Sequence, residues 1–143
     1  MPIAQLVPDL VLSMDDGDAI LELAFLMSAT DGYLADEELA AFRELVGLVR
    51  GRAVTPKEID DLLGRFLMEA NQEGVDERVR YVATIVPESL RETAYRVAVG
   101  VAVADHDETE HEAELAGELA LAFGISKERA TALTKEARVA LRA

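Results

Sequence analysis

Two segments of the chain lie over one another when Asp31 is set against Asp105: AFLMSATDGYLADEELAAFRELVGL from Ala24, and AVGVAVADHDETEHEAELAGELALA from Ala98. In both, a stretch of small apolar residues ends in Asp, a four-residue connection follows, and a Glu stands seven positions after the Asp, at Glu38 and Glu112. The register still holds further on, where Glu44 falls on Glu118 and Leu45 on Leu119. A duplicated helix–loop–helix unit is the strongest constraint on this chain, because each copy must bury its apolar face against the other. It predicts an all-α fold, a single compact bundle of about seven helices with approximate internal two-fold symmetry. The copies span about 18–72 and 88–142.

Apolar residues recur at helical spacing within the copies. Ile20, Leu23, Leu26 and Met27 make one stripe, and Leu39, Phe42, Leu45 and Val46 the next. Turn signals divide the elements: DDGD at 15–18, TDG at 30–32, GRAVTP at 51–56, QEG at 72–74, PES at 87–89, HDET at 106–109 and GIS at 124–126. Thr55, Pro56 and Glu58 supply an N-cap, a first-turn proline and a capping-box carboxylate for a helix over about 56–71. Thr109 with Glu112 repeats that logic, Ser126 caps a last helix to about Arg142, and Gly74 and Gly124 stand at helix C-termini. The segment RVAVGVAVAD has the valine content of a buried strand, but the stretch from about Glu88 to Ala104 is long enough for a helix. If Pro2 to Met14 is helical, Ile3, Leu6, Leu10 and Val11 form its stripe; Pro8 leaves a loose arm equally open.

A length of 143 residues fits one domain over 1–143. With aromatics at 5% and no Trp, the core must be built from Ala, Leu and Val. A net charge of −14 repels phosphate backbones, so nucleic acid is excluded as a partner. The absence of Cys removes disulfides, thiolate catalysis and thiolate metal sites, and fits a reducing compartment. The N-terminus has no basic n-region, and VAVGVAVA is far shorter than the roughly 20 residues of a membrane span. The expectation is a soluble cytoplasmic protein with no direct membrane insertion.

The acids are unevenly placed. No Lys or Arg precedes Arg43, and none lies between Arg96 and Lys127. Two readings of these base-free stretches stay open. In the first, Glu38 and Glu112 are capping-box carboxylates, three residues after Ala35 and Thr109, and the neighbouring acids favour the helix dipole by about 0.3–1 kcal/mol each. In the second, pseudo-symmetry brings the loops together. Asp31, Glu38, Asp105 and Glu112 then converge with Asp107, and with Asp36, Glu108 and Glu110 nearby. That many carboxylates without a local base raise one another's pKa until a cation relieves them, and oxygen-only ligands suit Ca²⁺ or Mg²⁺. The Asp105 loop is no EF-hand, since Glu110 stands where Gly is required and Ala116 where the bidentate Glu belongs. His106 and His111 lack the usual zinc spacing, so Ca²⁺ or Mg²⁺ is preferred over Zn²⁺. No phosphate loop, serine elbow or HExxH is present, which argues against an enzyme.

The basic residues, from Arg43 through Arg65, Arg78 and Arg80 to Arg96, occupy the middle of the chain and read as a solvated face balancing acids such as Asp60, Asp61 and Glu77. Together, SATDGYLADEE and VAVADHDETEHEAELAGELALAFGIS resemble the tellurite-resistance TerB family and the related N-terminal module of DjlA-type membrane co-chaperones, over about residues 18–140. The resemblance implies a compact all-α module without enzymatic activity. It further implies a divalent cation at the acidic loops, a protein partner in a membrane-associated complex, and a place in a bacterial stress response.

Overall fold

The computed structural model describes residues 13–28, 36–102 and 110–142, which form seven α-helices and no strand. They are α1 (Met14–Ser28), α2 (Asp36–Arg50), α3 (Pro56–Glu73), α4 (Val75–Ile85), α5 (Arg91–Ala102), α6 (Glu110–Phe123) and α7 (Lys127–Arg142). The all-α expectation holds, and the valine-rich segment is helical. Its start differs: a single 3₁₀ turn over Glu88–Leu90 follows Pro87 before α5 begins, and residues 103 and 104 lie outside the described part.

Two helices make the centre. Along α1, Ala19 to Ser28 are buried without interruption, and along α5 so are Val97 to Ala102. A helix apolar all round must be enclosed on every side. α1 packs against α2, α3, α4, α5 and α6, and most extensively against α5, which in turn carries α7, α6 and α2. The outer helices bury one stripe each, as α3 does with Ile59, Leu62, Phe66 and Ala70. Ala, Leu and Val dominate the resulting core, with Phe25 and Phe66 in ring contact at 5.9 Å. No helix among the described residues is long and apolar enough to cross a membrane.

Some positions that the sequence register pairs are both buried. Ile20, Leu21, Leu23, Ala24 and Met27 are buried, as are their counterparts 74 positions on: Ala94, Tyr95, Val97, Ala98 and Val101. α2 and α6 begin at corresponding residues, and contacts are exchanged in kind, α2 touching α5 and α6 touching α1.

Helix ends follow local chemistry with two corrections. Thr55 Oγ1 accepts the Glu58 N–H at 3.2 Å, Ser126 Oγ accepts that of Arg129 at 3.1 Å, and Gly74 and Gly124 take φ of 87° and 72°. The Glu58 carboxylate, expected to close a capping box, instead takes the Arg52 guanidinium at 2.9 Å. DDGD, expected to be a turn, is the first turn of α1. Ser13 Oγ accepts the Asp16 N–H at 3.1 Å, and acids in a first turn are favoured by the helix dipole. Gly17 serves close packing there, since a Cβ at that point would lie 2.6 Å from Val49 Cγ1.

Candidate functional site

Both acidic stretches leave from the C-termini of the central helices. α1 ends at Ser28 and α5 at Ala102, each buried and with no basic residue in the last turn. A helix C-terminus carries a partial negative charge, so acids placed after it gain nothing from the dipole that ends there. The chain re-enters helix at α2 and α6, again with acids in the first turn: Asp36, Glu37 and Glu38, then Glu110 and Glu112.

Glu38 and Glu112 are each the third residue of their helix, and they are only 4% and 5% exposed. Glu58 holds the same third place in α3, yet its side chain is 42% exposed and faces Arg52. A carboxylate can therefore occupy the capping position in this fold without being buried. Burial of an ionised carboxylate costs several kcal/mol unless donors or a cation compensate it. Glu38 and Glu112 each have a partner in the fold, and it is their enclosure that sets them apart from Glu58.

Of the other residues singled out in the sequence, Asp31, Asp105, Asp107 and His106 lie outside the described residues, as does the side chain of His111. Among the described residues, no three His, Asp or Glu side chains gather into a group able to hold a metal ion. Glu38 and Glu112 supply the right donor type for a hard divalent cation, carboxylate oxygen, and a shell of six to eight oxygens would need the aspartates as well.

A second cluster of charge was not anticipated. Glu22 stands alone in the apolar run of α1, is 5% exposed, and meets Arg78 of α4. Arg78, which the sequence suggested was solvated, has a side chain only 12% exposed. Its Nη2 lies 2.9 Å from both Glu22 Oε1 and Glu69 Oε2, its Nη1 2.9 Å from Glu73 Oε2, and its Nε also bonds Glu22. The guanidinium rests 4.9 Å from the Tyr81 ring centre. The hydrogen bond to Glu22 raises the pKa of Arg78 further above its ordinary value, against the opposing effect of burial. One turn earlier, Asp18 takes Arg50 at 2.6 Å and Arg65 at 3.2 Å. Asp18, Glu22, Arg65, Glu69 and Arg78 line a cleft of about 360 Å³, in which each of the three carboxylates already faces a guanidinium. The cluster ties α1 to α2, α3 and α4. One signal was legible beforehand: a single charge inside an otherwise apolar helical run has to find a partner.

No curated protein and no solved structure matches the chain. The family model described as tellurite resistance protein TerB matches residues 17–135, a span from the first turn of α1 to the middle of α7. By that match over most of its length, the chain belongs to the TerB family.

Proposed function

We propose that this chain is a non-enzymatic, TerB-like stress-response module that binds a divalent cation, Ca²⁺ or Mg²⁺, through its paired acidic loops. One observation carries the reading: the burial of Glu38 and Glu112, at a helix position where Glu58 stays half-exposed. The ligand set is Asp31, Glu38, Asp105 and Glu112, with Asp107 beside them. In sequence the acids fall between helices with no basic residue in the last turn and helices with acids in the first turn, a concentration of negative charge that a cation would relieve. The family description names tellurite resistance, and the stress-response setting is an extension of that name.

A second reading keeps the acids as helix caps and makes the module a protein-binding scaffold. It draws on large apolar side chains left in solvent, among them Met68 and Tyr81, with Leu121 at 82% exposure.

Calorimetric titration of Ca²⁺, Mg²⁺ and Zn²⁺ into chelator-treated protein separates the two. Saturable binding of Ca²⁺ or Mg²⁺, lost in Glu38→Gln with Glu112→Gln and in Asp31→Asn with Asp105→Asn, is the expected result. No heat at millimolar ion concentration removes the metal reading and leaves the scaffold.

A further inference from the structure

α6 and α7 follow one another in the chain but touch only lightly, and a groove of about 410 Å³ runs between them. Its floor is made of small side chains, Ala113, Ala116 and Gly117 on α6, with Tyr95 of α5 beneath. A Cβ at Gly117 would meet nothing within 4 Å, so the α6 backbone is open to close approach. In the other half, the position 74 residues earlier is Arg43, which lines the corresponding groove between α2 and α3 with its long side chain.

The wall along α7 is basic. Lys127 and Lys135 line it, both exposed, and neither forms an ion pair among the described residues. In a molecule with 28 acids against 14 Lys and Arg, Arg50, Arg52, Lys57, Arg65, Arg78, Arg80, Arg96 and Arg129 all have carboxylate partners, while Arg43 and Arg91, on other faces, share with the two lysines the lack of an ion pair among the described residues. Thr131 sits between the two lysines on the same face. Its hydroxyl donates to Lys127 O at 3.0 Å and keeps lone pairs free to accept. From Lys127 to Lys135 the line runs about 12 Å along the helix, and Arg138, which has a partner of its own, lies beyond it. That is too long for one carboxylate or phosphate. It matches two turns of a partner helix whose acids repeat every three or four residues. Nucleic acid and anionic membrane extend well beyond this line and would meet the rest of a surface with net charge −14, whereas one flank of a helix meets the line alone.

We infer that the α6–α7 groove docks an amphipathic acidic helix from a protein partner. The partner's small apolar face lies on Ala113, Ala116 and Gly117, and its Asp or Glu flank runs along Lys127 and Lys135. The interaction needs no metal and is independent of the acidic loops.

The probe is a fluorescein-labelled helical peptide of Ala, Leu and Glu with its glutamates along one flank, titrated with full-length protein by anisotropy. A control peptide carries Lys in place of Glu. Saturable binding of the acidic peptide alone is expected, with amide shifts confined to residues 113–117 and 127–138. Lys135→Glu should weaken it about tenfold, whereas Arg43→Glu, the same charge change at an exposed cation elsewhere, should stay within about twofold. Gly117→Leu should abolish binding with no change of charge. Four results overturn the inference: no saturable binding at millimolar peptide, equal loss in Lys135→Glu and Arg43→Glu, full binding by a folded Gly117→Leu, or self-association of the chain that Gly117→Leu removes. Should Gly117→Leu fail to fold, the comparison of the two charge variants with the shift map still decides.

Discussion

The two central helices carry charge at matching places and use it differently. In the register that sets Asp31 on Asp105, Asp18 and Glu22 of α1 correspond to Glu92 and Arg96 of α5. On α1, Glu22 is enclosed and shares Arg78 with Glu69 and Glu73, while Asp18 draws in Arg50 and Arg65. On α5, Glu92 takes Arg129 through two bonds of 2.8 and 3.0 Å, and Arg96 takes Glu136 at 2.9 Å, but both pairs stay open to water. The distances are similar, so what separates Glu22–Arg78 from the α5 pairs is solvent, while Asp18–Arg65 is as open as Arg96–Glu136. An exposed pair contributes between nothing and about 1 kcal/mol, whereas stranding one member of a buried cluster costs about 3–5 kcal/mol.

That contrast can be broken most severely at Arg78. Arg78→Met leaves Glu22 buried opposite no cation, and should cost about 3–5 kcal/mol, lowering the melting temperature by about 10 °C in thermal unfolding. Adding Glu22→Leu to that variant should recover much of the loss, because the charge left behind is the main penalty. A melting temperature unchanged in Arg78→Met would show that the α1 cluster counts for no more than the α5 pairs.

A smaller effect is expected at Gly17, whose counterpart on α5 is Arg91. The α5 position holds a long side chain. A Cβ at Gly17 meets Val49, so Gly17→Ala should cost about 1–3 kcal/mol through overpacking, measured by urea denaturation.

The smallest effect should come from Glu92. Its hydrogen bond to Arg129 holds its carboxyl below the ordinary value of 4.5. Such a group stabilises the fold above its unfolded pKa, and that contribution disappears as the pH falls through the lowered value. Glu92→Gln should therefore be slightly less stable than the native chain at neutral pH, and the two melting curves should converge on acidification below 4.5. A difference that persisted in acid would mean that the substitution had disturbed packing rather than charge.

Much of this architecture is legible in the amino acids because local chemistry decided it. Thr55, Ser126, Gly74 and Gly124 sit at helix ends for reasons confined to a few neighbouring residues, and the apolar period marks the helices. What could not be read depends on residues distant in the chain. Glu22 announces that it needs a partner, yet nothing in the linear order points to Arg78, 56 residues away, over any other arginine. DDGD looked like a turn because Asp and Gly favour turns, but Ser13 and the dipole place the same residues in a first helical turn. The candidate site was legible in position and not in environment. Glu38, Glu112 and Glu58 share one helical position, and only the packing around them separates the buried pair from the exposed third. Asp31, Asp105 and Asp107 lie outside the described residues, so their part in the site rests on the sequence.

The enclosure of α1 also bears on how the chain is made. During synthesis α1 emerges some 74 residues before α5, its main cover, which at 5–20 residues per second is a delay of roughly 4–15 s. For that interval Leu21, Phe25, Leu26 and their neighbours have only α2, α3 and α4 to lie against. The nascent N-terminal half is therefore a sticky intermediate whose final closure waits on the ribosome, and slowed translation between α4 and α5 would lengthen its exposure to aggregation.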